Sequence, residues 1–147
     1  MSRTLAVILA VAAGCLVGLQ APVNARLGRQ VGALQAATVS FTIGTLALLL
    51  VASLSSGGLS GIANFTRAPW WALIGGVLGA FYVTVALLTV RTLGLSALTA
   101  IVVTGQLAIA VVVDRFGLLG IARQHIHAPR IVGLVLLVIG VVLVVRR

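Results

Sequence analysis

PWWALIGGVLGAFYVTVALLTV, Pro69 to Val90, is a run of 22 residues without a charged side chain. Its apolar residues are continuous and do not alternate with polar ones. It therefore reads as an α-helix able to cross the ~30 Å hydrocarbon core of a bilayer, not as a barrel strand. In lipid, a single segment can satisfy all of its own backbone N–H and C=O groups only as a helix. Trp70 and Trp71 stand at its start, where an interfacial aromatic anchor belongs.

Four similar runs flank it. The first is Thr4 to about Asn24, broken near its end by Pro22, and the second runs from Gly32 or Ala33 to Leu54. The fourth is Leu95 to Val113, and the fifth is Arg130 to Val145, with Arg146 and Arg147 behind it. Between them lie a Ser/Gly-rich connector (Ser55 to Ala68), a short turn (Arg91 to Gly94) and a longer connector (Asp114 to Pro129). The predicted fold is all-α and integral to a membrane. It has five transmembrane helices, about 4–24, 32–54, 69–90, 95–113 and 130–145, in a single domain over residues 1–147. Of the 147 residues 61% are hydrophobic and 7% charged. A soluble domain carries about 25% charged residues, so an ordinary water-soluble enzyme is excluded. Val23-Asn24-Ala25 resembles a signal-peptide cleavage site. Retention of the first span is the expectation, because four further spans follow and not a secreted domain.

The formal charge is +9, from ten basic residues that are all arginine and one acid, Asp114. The arginines fall singly between apolar runs, without the clustered face that tracks a phosphate backbone, so no nucleic-acid partner is expected. Their expected partners are lipid phosphates. With five spans, one side of the membrane holds Arg3, Arg67, Arg115, Arg123 and Arg130. The other holds Arg26, Arg29, Arg91, Arg146 and Arg147. Orientation follows an excess of positive charge on one side, and here neither side has one. The chain is thus expected to insert both ways up, which permits an antiparallel pair of identical subunits. The alternative is one orientation fixed by helix hydrophobicity or by Arg26 and Arg29 beside the first span.

The few polar side chains within the runs are candidates for a substrate pathway. Gln20 and Asn24 sit one turn apart on the first helix. Ser40 falls near the middle of the second, Tyr82 of the third, and Thr104 and Gln106 of the fourth. An unpaired amide in hydrocarbon costs several kcal/mol, so Gln20, Asn24 and Gln106 are expected to point into a bundle. They either line a polar path or join helices as glue, while threonines can bond their own backbone. Small residues at four-residue spacing (Gly14 and Gly18; Gly32, Ala36, Ser40 and Gly44; Gly75 and Gly79) predict close helix packing. The fifth helix, with no polar side chain between its terminal arginines, is expected to face lipid or a partner.

Asp114 ends the fourth run beside Arg115, where an interfacial ion pair is expected ahead of proton coupling. His125 and His127 lack a third ligand nearby, so no metal site is expected. Cys15 is the lone cysteine and can form no intrachain disulfide. No catalytic constellation and no cofactor motif appears.

Six stretches form a pattern: Gln20-x-x-x-Asn24 with Arg26-Leu27-Gly28, VSFTIGTLALL (Val39 to Leu49), PWWALIGGVLGAFYV (Pro69 to Val83), Gly105-Gln106-Leu107, DRFGLLG (Asp114 to Gly120) and RIVGLVLLVIGVVLV (Arg130 to Val144). Together they resemble the YdcZ-like family, a half-size, five-span branch of the drug/metabolite transporter superfamily. The resemblance implies residence in the bacterial cytoplasmic (inner) membrane and antiparallel pairing, with an identical or a related chain, into a ten-helix inverted-repeat bundle. Four-span multidrug exporters of that superfamily exchange protons for cations through a glutamate in their first helix. No span here holds an acid, so that mechanism does not carry over. The reading is a small-solute transporter: an antiparallel homodimer working by alternating access on an unknown small polar solute, neutral or anionic. The contrasting readings are a non-transporting assembly or accessory subunit, or half of a hetero-paired transporter.

Overall fold

A computed structural model describes residues 1–125 and 127–146; Arg147, counted above, lies outside them. The protein is helical, with α1 at Arg3–Val31, α2 at Ala33–Leu54, α3 at Gly75–Leu93, α4 at Leu95–Phe116 and α5 at Ala128–Val145. Short 3₁₀ segments occupy Ser60–Arg67, Trp70–Ile74 and Leu118–Gly120. Each of the five apolar runs lies in a helix long and apolar enough to cross a membrane, the third including its leading 3₁₀ turn. The all-α membrane fold expected from the runs is what forms.

The helix ends differ from the apolar runs, and each difference has a local cause. The first helix does not stop at Asn24 but continues to Val31 with Pro22 inside it. Proline lacks an N–H and crowds the carbonyl four residues earlier, here that of Gly18, yet the helix continues through it. Arg26 and Arg29 then lie near a helix C-terminus, where positive charge is favourable. At 1.5 Å per residue α1 is about 44 Å long, so its arginine-bearing end extends beyond the hydrocarbon core. The Ser2 hydroxyl caps its start by accepting from the Leu5 N–H at 3.2 Å. α4 runs past Val113 to Phe116 and ends on Gly117, which takes the left-handed conformation (φ 65°, ψ 36°).

Two compact units divide the chain: Met1–Val90, and a second beginning at Arg91. In the first, the core is Ala36 and Ala37 of α2 against Val83 and Leu87 of α3, with Ala25 and Leu27 of α1 packed beside them. Gly28 faces this cluster: a methyl group there would make ordinary contact, 3.6 Å from Leu87 Cδ2 and 3.7 Å from Ala36 Cβ. Gly79 similarly seats the Phe41 ring, 3.3 Å from where a Cβ would be. The expectation of packed small-residue ridges is corrected elsewhere: Gly14, Gly18, Gly44 and Gly75 face open space. Of the ridge glycines, Gly79 makes the close approach to another helix, at the Phe41 ring.

In the second unit, α4 and α5 are joined by a connector that folds back on α4. The Gln124 N–H donates to the Asp114 carbonyl at 2.8 Å, and Arg123 Nε donates to the Arg115 carbonyl at 3.0 Å. His127 leads into α5, with Pro129 in the first turn, where its missing N–H costs nothing.

Candidate functional site

The first unit gathers three of the six expected pathway residues in one place. Gln20 and Asn24 from α1, with Tyr82, Val83, Ala86 and Leu87 from α3, line a narrow cleft of about 10 Å³. The one-turn spacing of Gln20 and Asn24 puts both amides on the α3-facing side of α1. Gln20 is exposed, Tyr82 half-buried and Asn24 buried, with 6% of its surface exposed. Among the described residues Asn24 is the buried polar one, and its Nδ2 has no hydrogen-bond partner. An orphaned buried amide donor costs about 1–3 kcal/mol. A residue serving only as interhelical glue would have that donor bonded to a neighbouring helix.

This cost gives a first prediction. Asn24→Leu removes the orphan with the same branching and number of heavy atoms, so in detergent it should unfold at the same temperature as the parent or higher. Asn24→Asp, which buries a carboxylate there, should unfold at a lower one. A clear loss of stability in Asn24→Leu would mean that the amide is bonded after all.

The remaining pathway residues lie elsewhere. Ser40 is half-buried on α2 and does not line this cleft. Thr104 and Gln106 belong to the second unit, where Gln106 is exposed. The Thr104 hydroxyl donates to the Ala100 carbonyl of its own helix at 2.8 Å. A wider open groove of about 410 Å³ between α2 and α3 was not anticipated; it is lined by Thr38, Phe41, Thr42, Thr45 and Thr84 among others. All four threonine hydroxyls there donate to the carbonyl four residues earlier, so they offer the groove only acceptor lone pairs. Their signal was in the sequence: Thr38, Thr42 and Thr45 repeat at helical spacing and so share a face.

At the far end of α4, Asp114 forms an ion pair, but with Arg130 of the first turn of α5 and not with adjacent Arg115. Consecutive helical residues do not face each other, whereas the folded connector brings Arg130 back. The pair is partly shielded: the Asp114 side chain is 18% exposed and that of Arg130 32%. Among the described residues, no group of three or more His, Cys, Asp or Glu side chains could hold a metal ion.

The comparisons with known proteins bear on this arrangement. A family model described as "Putative inner membrane exporter, YdcZ" matches residues 5–143, nearly the whole chain. The chain belongs to the YdcZ family. It is also similar to the inner membrane protein YdcZ of Escherichia coli K12, at 33% identity over 91 residues, or 61% of this chain. That match spans 60% of the relative's own length. No solved structure matches. The family's description is of an inner membrane exporter and not of an enzyme, and this inner-membrane chain has five helices long and apolar enough to cross that membrane.

Proposed function

We propose that the chain is a small-solute transporter that works by alternating access as a dual-topology, antiparallel homodimer. The observation that carries this is the exposure of two amides, Gln20 and Gln106, on helices otherwise apolar enough to span a membrane. Hydrocarbon cannot meet those amides without a cost of several kcal/mol. A second copy of the chain and a solute path between the copies would meet them. The five-against-five division of arginines supports the antiparallel arrangement, since it leaves insertion without a preferred direction. In that pair the two Gln20–Asn24 faces lie toward opposite membrane surfaces, so each serves one gate. Tyr82 lines the same cleft as those amides, and Ser40, Thr104 and Gln106 are the further candidates for the pathway, each on its own helix. Inverted repeats of this kind generate two equivalent states around a site near the midplane.

Water access distinguishes a path from packed glue. With Cys15 replaced by alanine, Gln20→Cys is expected to react with a membrane-impermeant thiol reagent in intact cells. Leu136→Cys, on the exposed and wholly apolar face of α5, is expected to stay unreacted. Equal protection of both cysteines would mean that Gln20 is sealed in protein or lipid, and would overturn the transport reading.

A further inference from the structure

We infer that Asn24 is the recognition residue of the cleft between α1 and α3, its amide N–H kept unpaired to meet an oxygen acceptor on an uncharged solute. This deepens the transporter reading and rests on it. Nδ2 is buried and partnerless although Gln20 and Tyr82, which also carry polar groups, line the same cleft. The cleft has room for about one water-sized group, so it receives the tip of a solute and not its body. Gln20, exposed one turn earlier on the same face, extends the polar lining outward and supplies both a donor and an acceptor to the rest of the molecule.

Charge narrows the class. None of the residues lining the cleft is ionisable near neutral pH. An ammonium group entering it would be desolvated with no carboxylate to receive it. A carboxylate or phosphate would be desolvated with no cation beside it, and an unpaired buried charge is far costlier than a buried neutral acceptor. A carbonyl or hydroxyl oxygen satisfies Nδ2 without that penalty. The solute is therefore a neutral molecule presenting such an oxygen beside an apolar portion that suits the aliphatic walls.

The chain contains two asparagines, Asn24 and Asn64, and Asn64 is exposed in the Ser60–Arg67 turn, so ¹⁵N-asparagine labelling gives two side-chain amide signals. Asn64→Gln assigns them while leaving the cleft untouched. With the full chain in lipid nanodiscs, acetamide, acetate and methylammonium are titrated separately. The expected result is a saturable shift of the Asn24 signal with acetamide and a response to either ion at least about tenfold weaker. Asn64 is expected to stay still. An Asn24 signal that never moves overturns the proposal, leaving a trapped water or the second copy as the amide's partner. An equal response to acetate overturns the neutral class. The titration reads binding and not movement. Binding without transport would sink the transporter reading alone, and transport without the Asn24 shift would sink this site alone.

Discussion

Gly32→Ala and Gly94→Ala are each expected to destabilise the protein by about 1–3 kcal/mol, read as a lower unfolding temperature in detergent. Each glycine is the whole connection between two helices: Gly32 joins α1 to α2, and Gly94 joins α3 to α4. Both take nearly the same backbone conformation, φ 93° and ψ 157° at Gly32, φ 79° and ψ 159° at Gly94. That region is closed to residues with a Cβ. Gly32 serves both helices, its N–H donating to the Gly28 carbonyl at 3.1 Å while its carbonyl accepts from Ala36 at 3.0 Å. A side chain at this position must either bear the strain or release those bonds. The control is Gly14→Ala, mid-helix with open space around the added methyl, which should be neutral or stabilising by up to about 1 kcal/mol. If all three variants unfold together with the parent, the one-residue joints are not as described.

The second large effect lies at the other end of α4. Asp114→Asn should cost about 1–2 kcal/mol, because it leaves the Arg130 guanidinium without its counter-charge in a partly shielded site. Exposure of about a third of Arg130 keeps the figure below that of a fully buried pair. Arg115→Gln should have almost no effect, since what Arg115 contributes to the connector is its backbone carbonyl. A double-mutant cycle between Asp114→Asn and Arg130→Gln isolates the pair: the double variant should be less destabilised than the sum of the singles. Strict additivity, or a larger effect at Arg115, would reject the pairing.

These two sites also mark where the sequence stopped being informative. The five spans were legible because a continuous apolar run has one solution in lipid. The two ends of α2, the start of α4 and the end of α5 were legible as well, but α1 runs on to Val31, α3 to Leu93 and α4 to Phe116, where Gly32, Gly94 and Gly117 stop them through backbone conformations that periodicity does not encode. Pro22 read as a terminator by the rule for soluble helices, yet the helix continues through it to Val31, as helices in lipid tolerate. Asp114 has an arginine beside it in the chain, and only the return of the connector shows that Arg130 reaches it. In the candidate site, the shared face of Gln20 and Asn24 followed from their spacing. That Tyr82 lies across from them depends on how α3 packs, and that Asn24 Nδ2 is left without a partner depends on every neighbour at once. The threonine groove had a readable spacing, but its acceptor-only character emerges from four hydrogen bonds within the helices.

The central claim is that identical chains stand both ways up in the membrane. Single cysteines at the two chain ends and in the connector between Asp114 and Pro129, with Cys15 replaced, report which side each faces in intact cells. Every site is expected to be labelled from both sides, in comparable amounts. Labelling of each site from one side only would contradict it, leaving a parallel oligomer or a missing sister chain.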